Sequence, residues 1–545
     1  MGFAAALLAA LATGATAAAP DRCGALKSIA IRDGSVVAAT LVPAAFEASA
    51  RATSSGPRGF SLPQSCRVRL VLAPSRDSHI ETQVWLPTTA WNGRLQGIGN
   101  GGYSGSIDLR SMQVALKYGY VAAATDTGHR STADDASWAL GHPERLEDTG
   151  WRAIHETAQV AKLLIAAFYG RPVQHAYFSG GSNGGRQALV EAQRFPQDYD
   201  GVAAGAPALD PANNLAFGAW IEHRLLLNPA GFIPDSKAPF IAAAALKACD
   251  AIDGVADGVI DNPDACRFDP NSLACADQAG VAGDHDCLTA AQVAWLRDIY
   301  DGPGGPYQGQ RNGGLARGGE SGWTPIWLGR TPQETLGPVL SLGFYRDVVY
   351  GDPSWNLARF AFAKDRPAGA LRAREAHFDA QNPDLSRFAA RGGKLILYQG
   401  WSDPLVPPHI TIDYFEEVEG RMGPASAARF LRLYMAPGMG HVTGGTGPDV
   451  FGQLAPGAAS DPLHSINAAL EQWVEKGVPP AAIIAGKYAN EERAQLERAD
   501  QRPLRERPLC PYPQITRWVG HGDTDDVRNF SCVDAAAASN ISRGD

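Results

Sequence analysis

The sequence predicts an α/β protein, a mainly parallel sheet with helices on both faces, broken by one large insertion. Three observations predict it. Short apolar runs that end in Gly-, Asp- or Ser-rich turns recur at residues 94–98, 120–125, 176–179, 201–204, 394–398 and 430–435. Amphipathic stretches lie between several of them, notably 156–168 and 186–194. Strands alternating with helices build a parallel sheet covered on both sides. From about residue 211 to 391 this rhythm stops, in a stretch rich in Gly, Pro and Trp that holds four of the eight cysteines. The expected organisation is therefore a leader over 1–19, a sheet domain from 20–210 and 392–545, and an inserted domain over 211–391. The tail after Gln501 carries the last two cysteines and is expected to pack back on the sheet.

The 545 residues are 45% hydrophobic and 19% charged, which is a globular composition. Lys and Arg number 48 against 57 Asp and Glu, a net charge of −9, and no basic run is present. That balance argues against nucleic acid or an anionic membrane as partner. Residues 1–19 are nearly all apolar or small, with Ala15-Thr16-Ala17 as a cleavage site, although no Lys or Arg precedes the apolar run. This reads as an export signal, too short for a membrane span. The cysteines (Cys23, Cys66, Cys249, Cys266, Cys275, Cys287, Cys510 and Cys532) fall as near-neighbour pairs along the chain. An even, locally paired set fits disulfides in an oxidising compartment, so a secreted or periplasmic protein is expected.

Gly180-Gly181-Ser182-Asn183-Gly184 is the one G-x-S-x-G match. It follows a strand-like run and opens a helix-like one, the context of a nucleophile elbow. There the serine hydroxyl stands clear of the sheet, and the Asn183 amide points from the helix N-terminus toward a developing oxyanion. A serine nucleophile needs a base and an acid that orients it, in the chain order Ser, Asp or Glu, His. The run 394–398 breaks into Gly400-Trp401-Ser402-Asp403, which puts Asp403 just past a strand end. The run 430–435 leads into Gly438-Met439-Gly440-His441. Asp403 and His441 are the candidate acid and base; His409, six residues after Asp403, is the nearest rival base. The loop Gly97–Tyr103 follows the strand at 94–98, and Gly102, with Gly101 beside it, is the candidate second oxyanion donor.

The stretch Tyr177–Gln187, continuing Glu191-Ala192-Gln193-Arg194-Phe195-Pro196, resembles the elbow of the tannase and feruloyl esterase family. Gly400–Asp403 and Gly438–His441 are similar to its acid and base motifs, and the resemblance covers nearly the whole mature chain. It implies an α/β-hydrolase core with an inserted lid domain, and a secreted or periplasmic serine esterase acting on small esters of aromatic acids. Members cleave feruloyl, tannin or mono(2-hydroxyethyl) terephthalate esters. It also implies the pairs Cys23–Cys66, Cys249–Cys266, Cys275–Cys287 and Cys510–Cys532. The chain departs from the family where a cysteine precedes the serine and another follows the histidine. Gly181 and Val442 stand there instead, so packing and hydrogen bonds alone must hold Ser182 near His441.

Inside the loop that Cys249–Cys266 would close, Asp250, Asp253 and Asp257 recur at intervals of three and four with glycines between. Such a segment can fold around a hard cation that takes oxygen ligands. The resemblance implies a structural Ca²⁺ held by Asp250, Asp253 and Asp257 side chains and by the carbonyls of Val255 and Val259. The aromatic acyl group is expected to be gripped by Trp323, Trp327, Phe344 or Trp355 of the lid. Two rival readings are another serine hydrolase of the same fold, such as a peptidase or polyester depolymerase, and a secreted binding protein that lost the chemistry. The sequence does not specify the oligomeric state or which aromatic ester is the substrate.

Overall fold

The computed structural model describes residues 19–48, 59–276, 287–304, 314–455, 457, 461–496 and 501–534. The expected leader lies, apart from Ala19, outside the described residues. Among the described residues, nine strands form the central sheet: β1 (Gly34–Val42), β2 (Ser65–Leu72), β3 (Ile80–Pro87), β4 (Arg94–Ile98), β5 (Val121–Thr125), β6 (His175–Gly181), β7 (Gly201–Gly205), β8 (Lys394–Gly400) and β9 (Leu431–Ala436). Their spatial order is β1-β2-β3-β5-β4-β6-β7-β8-β9. The first three are antiparallel, and β3 joins β5 antiparallel. From β5 onward all pairings are parallel. This is the α/β-hydrolase arrangement expected.

The parallel strands are buried on both faces, and they read as continuous apolar or small runs for that reason. Helices Ala153–Tyr169, Asn183–Arg194 and Pro408–Met422 cover one face around Ile154, Leu164, Leu189 and Ile410. Helices Leu109–Lys117 and Ile466–Lys476 cover the other around Met112, Leu116, Leu470 and Trp473. Parallel pairing brings the C-terminal ends of β4, β6, β8 and β9 to one edge. The glycine loop, Ser182, Asp403 and His441 follow those four ends.

Between β7 and β8 none of the described residues adds a strand to this sheet. Helices Pro211–Leu227, Ala238–Cys249, Ala290–Asp301, Gly337–Gly343 and Phe362–Glu375 form there. Asp210 caps the first, with Pro211 at its opening position, and Thr289 and Gln292 make a reciprocal capping box on the third. The segment encloses an apolar cluster of its own around Ile241, Trp295, Leu296 and Trp323. It is pinned to the site edge by Trp327 Nε1, which donates to Pro404 O at 2.7 Å, and by Tyr103 OH, which donates to Leu340 O at 2.9 Å. The tail returns as expected: Tyr512 N donates to Leu433 O of β9 at 2.8 Å. The four disulfides are Cys23–Cys66, Cys249–Cys266, Cys275–Cys287 and Cys510–Cys532. None of the described helices is long and apolar enough to cross a membrane.

Candidate active site

Ser182 sits between β6 and helix Asn183–Arg194 with φ +60° and ψ −123°. That region is closed to most side chains, and the turn is held by Ser182 N donating to Gly205 O at 2.8 Å. A serine opening a helix ordinarily caps it with its hydroxyl. Here the strained backbone turns the side chain away and no capping bond forms, which leaves the hydroxyl for other work. Small neighbours permit the turn: a Cβ on Gly180 would lie 2.5 Å from the Gly184 carbonyl group.

His441 Nδ1–H donates to Asp403, at 2.9 Å from Oδ2 and 3.0 Å from Oδ1. Asp403 is 1% exposed. Its carboxylate also accepts from Leu405 N at 2.8 Å, Val406 N at 3.0 Å and Gln399 Nε2 at 2.9 Å. With Nδ1 carrying the proton, Nε2 of His441 is left as the basic nitrogen. Ser182 and His441 line the same cleft, of about 630 Å³. The Ser182 hydroxyl makes no hydrogen bond to the imidazole in this structure. His409, the rival base, is turned elsewhere: its Nε2 lies 2.8 Å from Asp264 Oδ1 and its ring packs edge-on to Trp401.

Gly102 also lines this cleft. Its φ of +54° suits glycine, and an added Cβ would lie 2.3 Å from the Ala133 carbonyl oxygen. Neither Gly102 N nor Asn183 N donates to a backbone carbonyl among the described residues, so both amides are free for an oxyanion. The glycine loop is locked to the elbow helix by Gln187, whose Oε1 accepts from Asn100 N at 2.9 Å. His129 supports it from behind, with Nε2 2.9 Å from Tyr103 O and its ring stacked on Trp138. Burial lowers His129 to about 4, so it stays neutral at ordinary pH. Arg186, fully buried, donates to Asn183 Oδ1 at 2.7 Å and to the Gly150 and Thr149 carbonyls at 2.8 and 2.9 Å. Burial pulls it down to about 9, still a cation at neutral pH.

The sequence assigns no role to Gln187, His129, Arg186 or Gln399, although Gln187 and Arg186 lie in the elbow stretch. The first three act through partners distant in the chain, and Gln399 lies hidden in β8, four residues before the acid it supports. Of the four aromatic residues expected to grip an acyl group, Trp327 lines a cavity beside Ser182. The other three are core: Trp323, Phe344 and Trp355 are 1%, 0% and 6% exposed and pack on Tyr300 or Tyr345. An inserted segment this large needs its own apolar interior, and these side chains fill it.

In the Cys249–Cys266 loop, Asp250 accepts from Gly258 N at 3.0 Å and Val259 N at 3.2 Å, and Asp253 accepts from Val255 N at 3.0 Å. Asp257 is ion-paired with Arg507. A fourth carboxyl, Asp261, was not singled out by the spacing. Burial and the neighbouring Asp253 push it well up, and Asp253 is raised too, by burial first and then by Asp257 and Asp250. Crowded acidic groups with hard oxygen donors suit a divalent cation. The Asp250, Asp253 and Asp257 carboxylates do not gather within 4.8 Å of one another. Among the described residues His155, Glu191 and Asp198 do. In that second cluster burial and Asp198 push Glu191 well up, with neither of its carboxyl oxygens hydrogen-bonded, while His155 and Gln159 each approach Asp198 at 2.5 Å.

The family description "Tannase and feruloyl esterase" matches residues 66–533. An uncharacterized esterase of Xanthomonas campestris is 38% identical, over 95% of this chain and 92% of its own. Feruloyl esterase B of Aspergillus niger is 30% identical over 86% of each chain. The crystal structure of feruloyl esterase B from Aspergillus oryzae superposes with a TM-score of 0.83 at 28% identity, over 95% of this chain and all of that one. A carboxylic ester hydrolase of α/β-hydrolase fold, the chain belongs to the tannase and feruloyl esterase family.

Proposed function

We propose that the chain is an exported serine esterase that cleaves esters of phenolic aromatic acids through an acyl-enzyme on Ser182. The observation that carries this is the hydrogen-bonded Asp403–His441 pair opening on the cleft that Ser182 lines. His441 Nε2 takes the Ser182 proton as Oγ attacks the ester carbonyl carbon. Asp403 holds the imidazole tautomer and stabilises its positive charge. The Asn183 and Gly102 amides receive the oxyanion, an interaction worth about 3 kcal/mol per donor in comparable sites. The alcohol leaves with the proton from His441. Water, activated by the same imidazole, then releases the acid and restores Ser182. The missing Ser182–His441 bond closes on substrate binding, as such bonds commonly do. The feruloyl esterases among the relatives support the acyl class, and four disulfides support export.

Turnover of p-nitrophenyl acetate and methyl ferulate tests the reading. Both are expected to be cleaved, with Ser182→Ala losing at least about a thousandfold in kcat. A wild type that binds ferulate but releases no product would mark it as a binding protein instead.

Calcium belongs to the inserted segment, which we read as a lid. Asp250, Asp253 and Asp257, with the Val255 and Val259 carbonyls, would hold it and would shift to do so. Its charge would relieve the crowding at Asp253 and Asp261, a structural role away from Ser182. Chelation is expected to lower the Tm by several degrees, with calcium restoring it and magnesium not. An unchanged Tm would remove calcium from the account.

A further inference from the structure

Next to Ser182 a smaller niche of about 80 Å³ opens off the cleft, walled by Tyr103, Leu215, Trp327, Leu340 and Phe378. Cavities that hold a whole benzene ring are nearer 150 Å³. This one has room for the far end of a flat ring whose carbonyl lies at Ser182. Asn214, from the first turns of helix Pro211–Leu227, lines the same niche, and its side-chain oxygen is buried with no hydrogen-bond partner. Away from Ser182 and the two oxyanion amides, three other polar side chains of the wall are engaged. Arg186 is spent on Asn183, Gly150 and Thr149, with Phe378 across its face. Tyr103 OH donates to Leu340 O, and Ser341 Oγ donates to Gly337 O at 3.2 Å. A buried acceptor left unmet is destabilising until a donor reaches it.

We propose that Asn214 is a specificity-determining residue that accepts a hydrogen bond from a hydroxyl at the far end of the acyl ring. The site then selects ring-hydroxylated acids over unsubstituted ones, and over rings ending in a carboxylate, whose charge the mostly apolar walls would strip of water. This deepens the esterase reading above and rests on it.

The test compares kcat/KM for methyl 4-hydroxycinnamate, methyl cinnamate and mono(2-hydroxyethyl) terephthalate in the wild type and in Asn214→Leu. Cinnamate lacks the hydroxyl and adds no bulk. The wild type is expected to favour the hydroxylated ester over cinnamate by about tenfold or more, and the ratio to fall toward one in Asn214→Leu. Each ratio comes from a single preparation, so a partly misfolded variant does not distort it. A wild-type ratio near one, a preference for the terephthalate, or a ratio unchanged in the variant overturns the proposal while leaving the esterase reading standing. Failure of all three esters beside turnover of p-nitrophenyl acetate overturns the aromatic-acid reading and this proposal with it.

Discussion

Val442, directly after the candidate base, has φ +67°, a conformation that β-branched residues seldom adopt. Its side chain lies against Gly181, directly before the nucleophile. A Cβ on Gly181 would sit 2.8 Å from both Val442 methyls and 3.4 Å from its Cβ. The bare glycine and the strained valine thus occupy the place where the resembling family has a cross-link. The pairing of absences was visible in the sequence; the packing that replaces the bond was not, because it depends on a backbone angle. Gly181→Ala alone forces Val442 aside and is expected to cost about 1–3 kcal/mol of stability and to slow turnover. Gly181→Cys with Val442→Cys starts close to the usual disulfide Cβ separation of about 3.5–4.5 Å. The double variant is expected to cross-link on oxidation and to gain about 2–4 kcal/mol. Mass analysis of an unreduced digest, with thermal unfolding beside it, checks this. Free thiols at both positions would show that the loop and strand do not keep this spacing in solution.

The loop that carries Gly102 depends on His129, and the dependence has a sign. His129 is lowered from 6.5 to about 4 in the folded chain by burial, so the fold favours the neutral ring. Its contribution is complete above about pH 6.5 and is lost as pH falls through about 4, because the unfolded chain takes up the proton first. Asp126, three residues earlier, works oppositely: burial raises it to about 7, so its contribution fades as pH rises. Comparing the wild type with His129→Phe isolates the histidine, since Asp126 is common to both. The stability difference is expected to shift by about 3 kcal/mol against the wild type between pH 7 and 4. A difference flat with pH in urea titrations would contradict a buried neutral ring.

Elements differed in how far the sequence revealed them. β4 to β9 were legible because burial on both faces makes them continuous apolar runs. β2 was not, since one face is wet and Arg67 and Arg69 interrupt it. The candidate triad was legible because its members follow strand ends. Gln187 was not, since its partner Asn100 lies 87 residues away.

Across the whole molecule, the inserted segment is fastened by more than its two connections to the sheet. Strand Arg505–Leu509 of the tail brings Arg507 onto Asp257, with the two side chains 3% and 6% exposed. Arg505 donates to the Asp257 carbonyl at 2.9 Å. The same tail is tied to β9 through Tyr512 and closed by Cys510–Cys532. The return of the tail could be read from its cysteines. Its grip on Asp257 could not, since the partners are 250 residues apart. Removing one member of a buried pair strands the other charge, at a cost of about 3–5 kcal/mol. Here the Asp257 carboxylate would keep only Arg505, whose Nη1 lies 3.5 Å from its Oδ2, against Asp253 and Asp261, both already raised by burial. In the calcium-free chain, Arg507→Leu is therefore expected to lower the urea midpoint. Adding Asp257→Asn to it should recover part of the loss by removing a buried charge left with only the more distant Arg505. If Arg507→Leu unfolds at the wild-type midpoint, the tail does not clamp the inserted segment. If the double variant is no more stable than the single, the loss comes from packing of the arginine stem over Phe530 rather than from the buried pair.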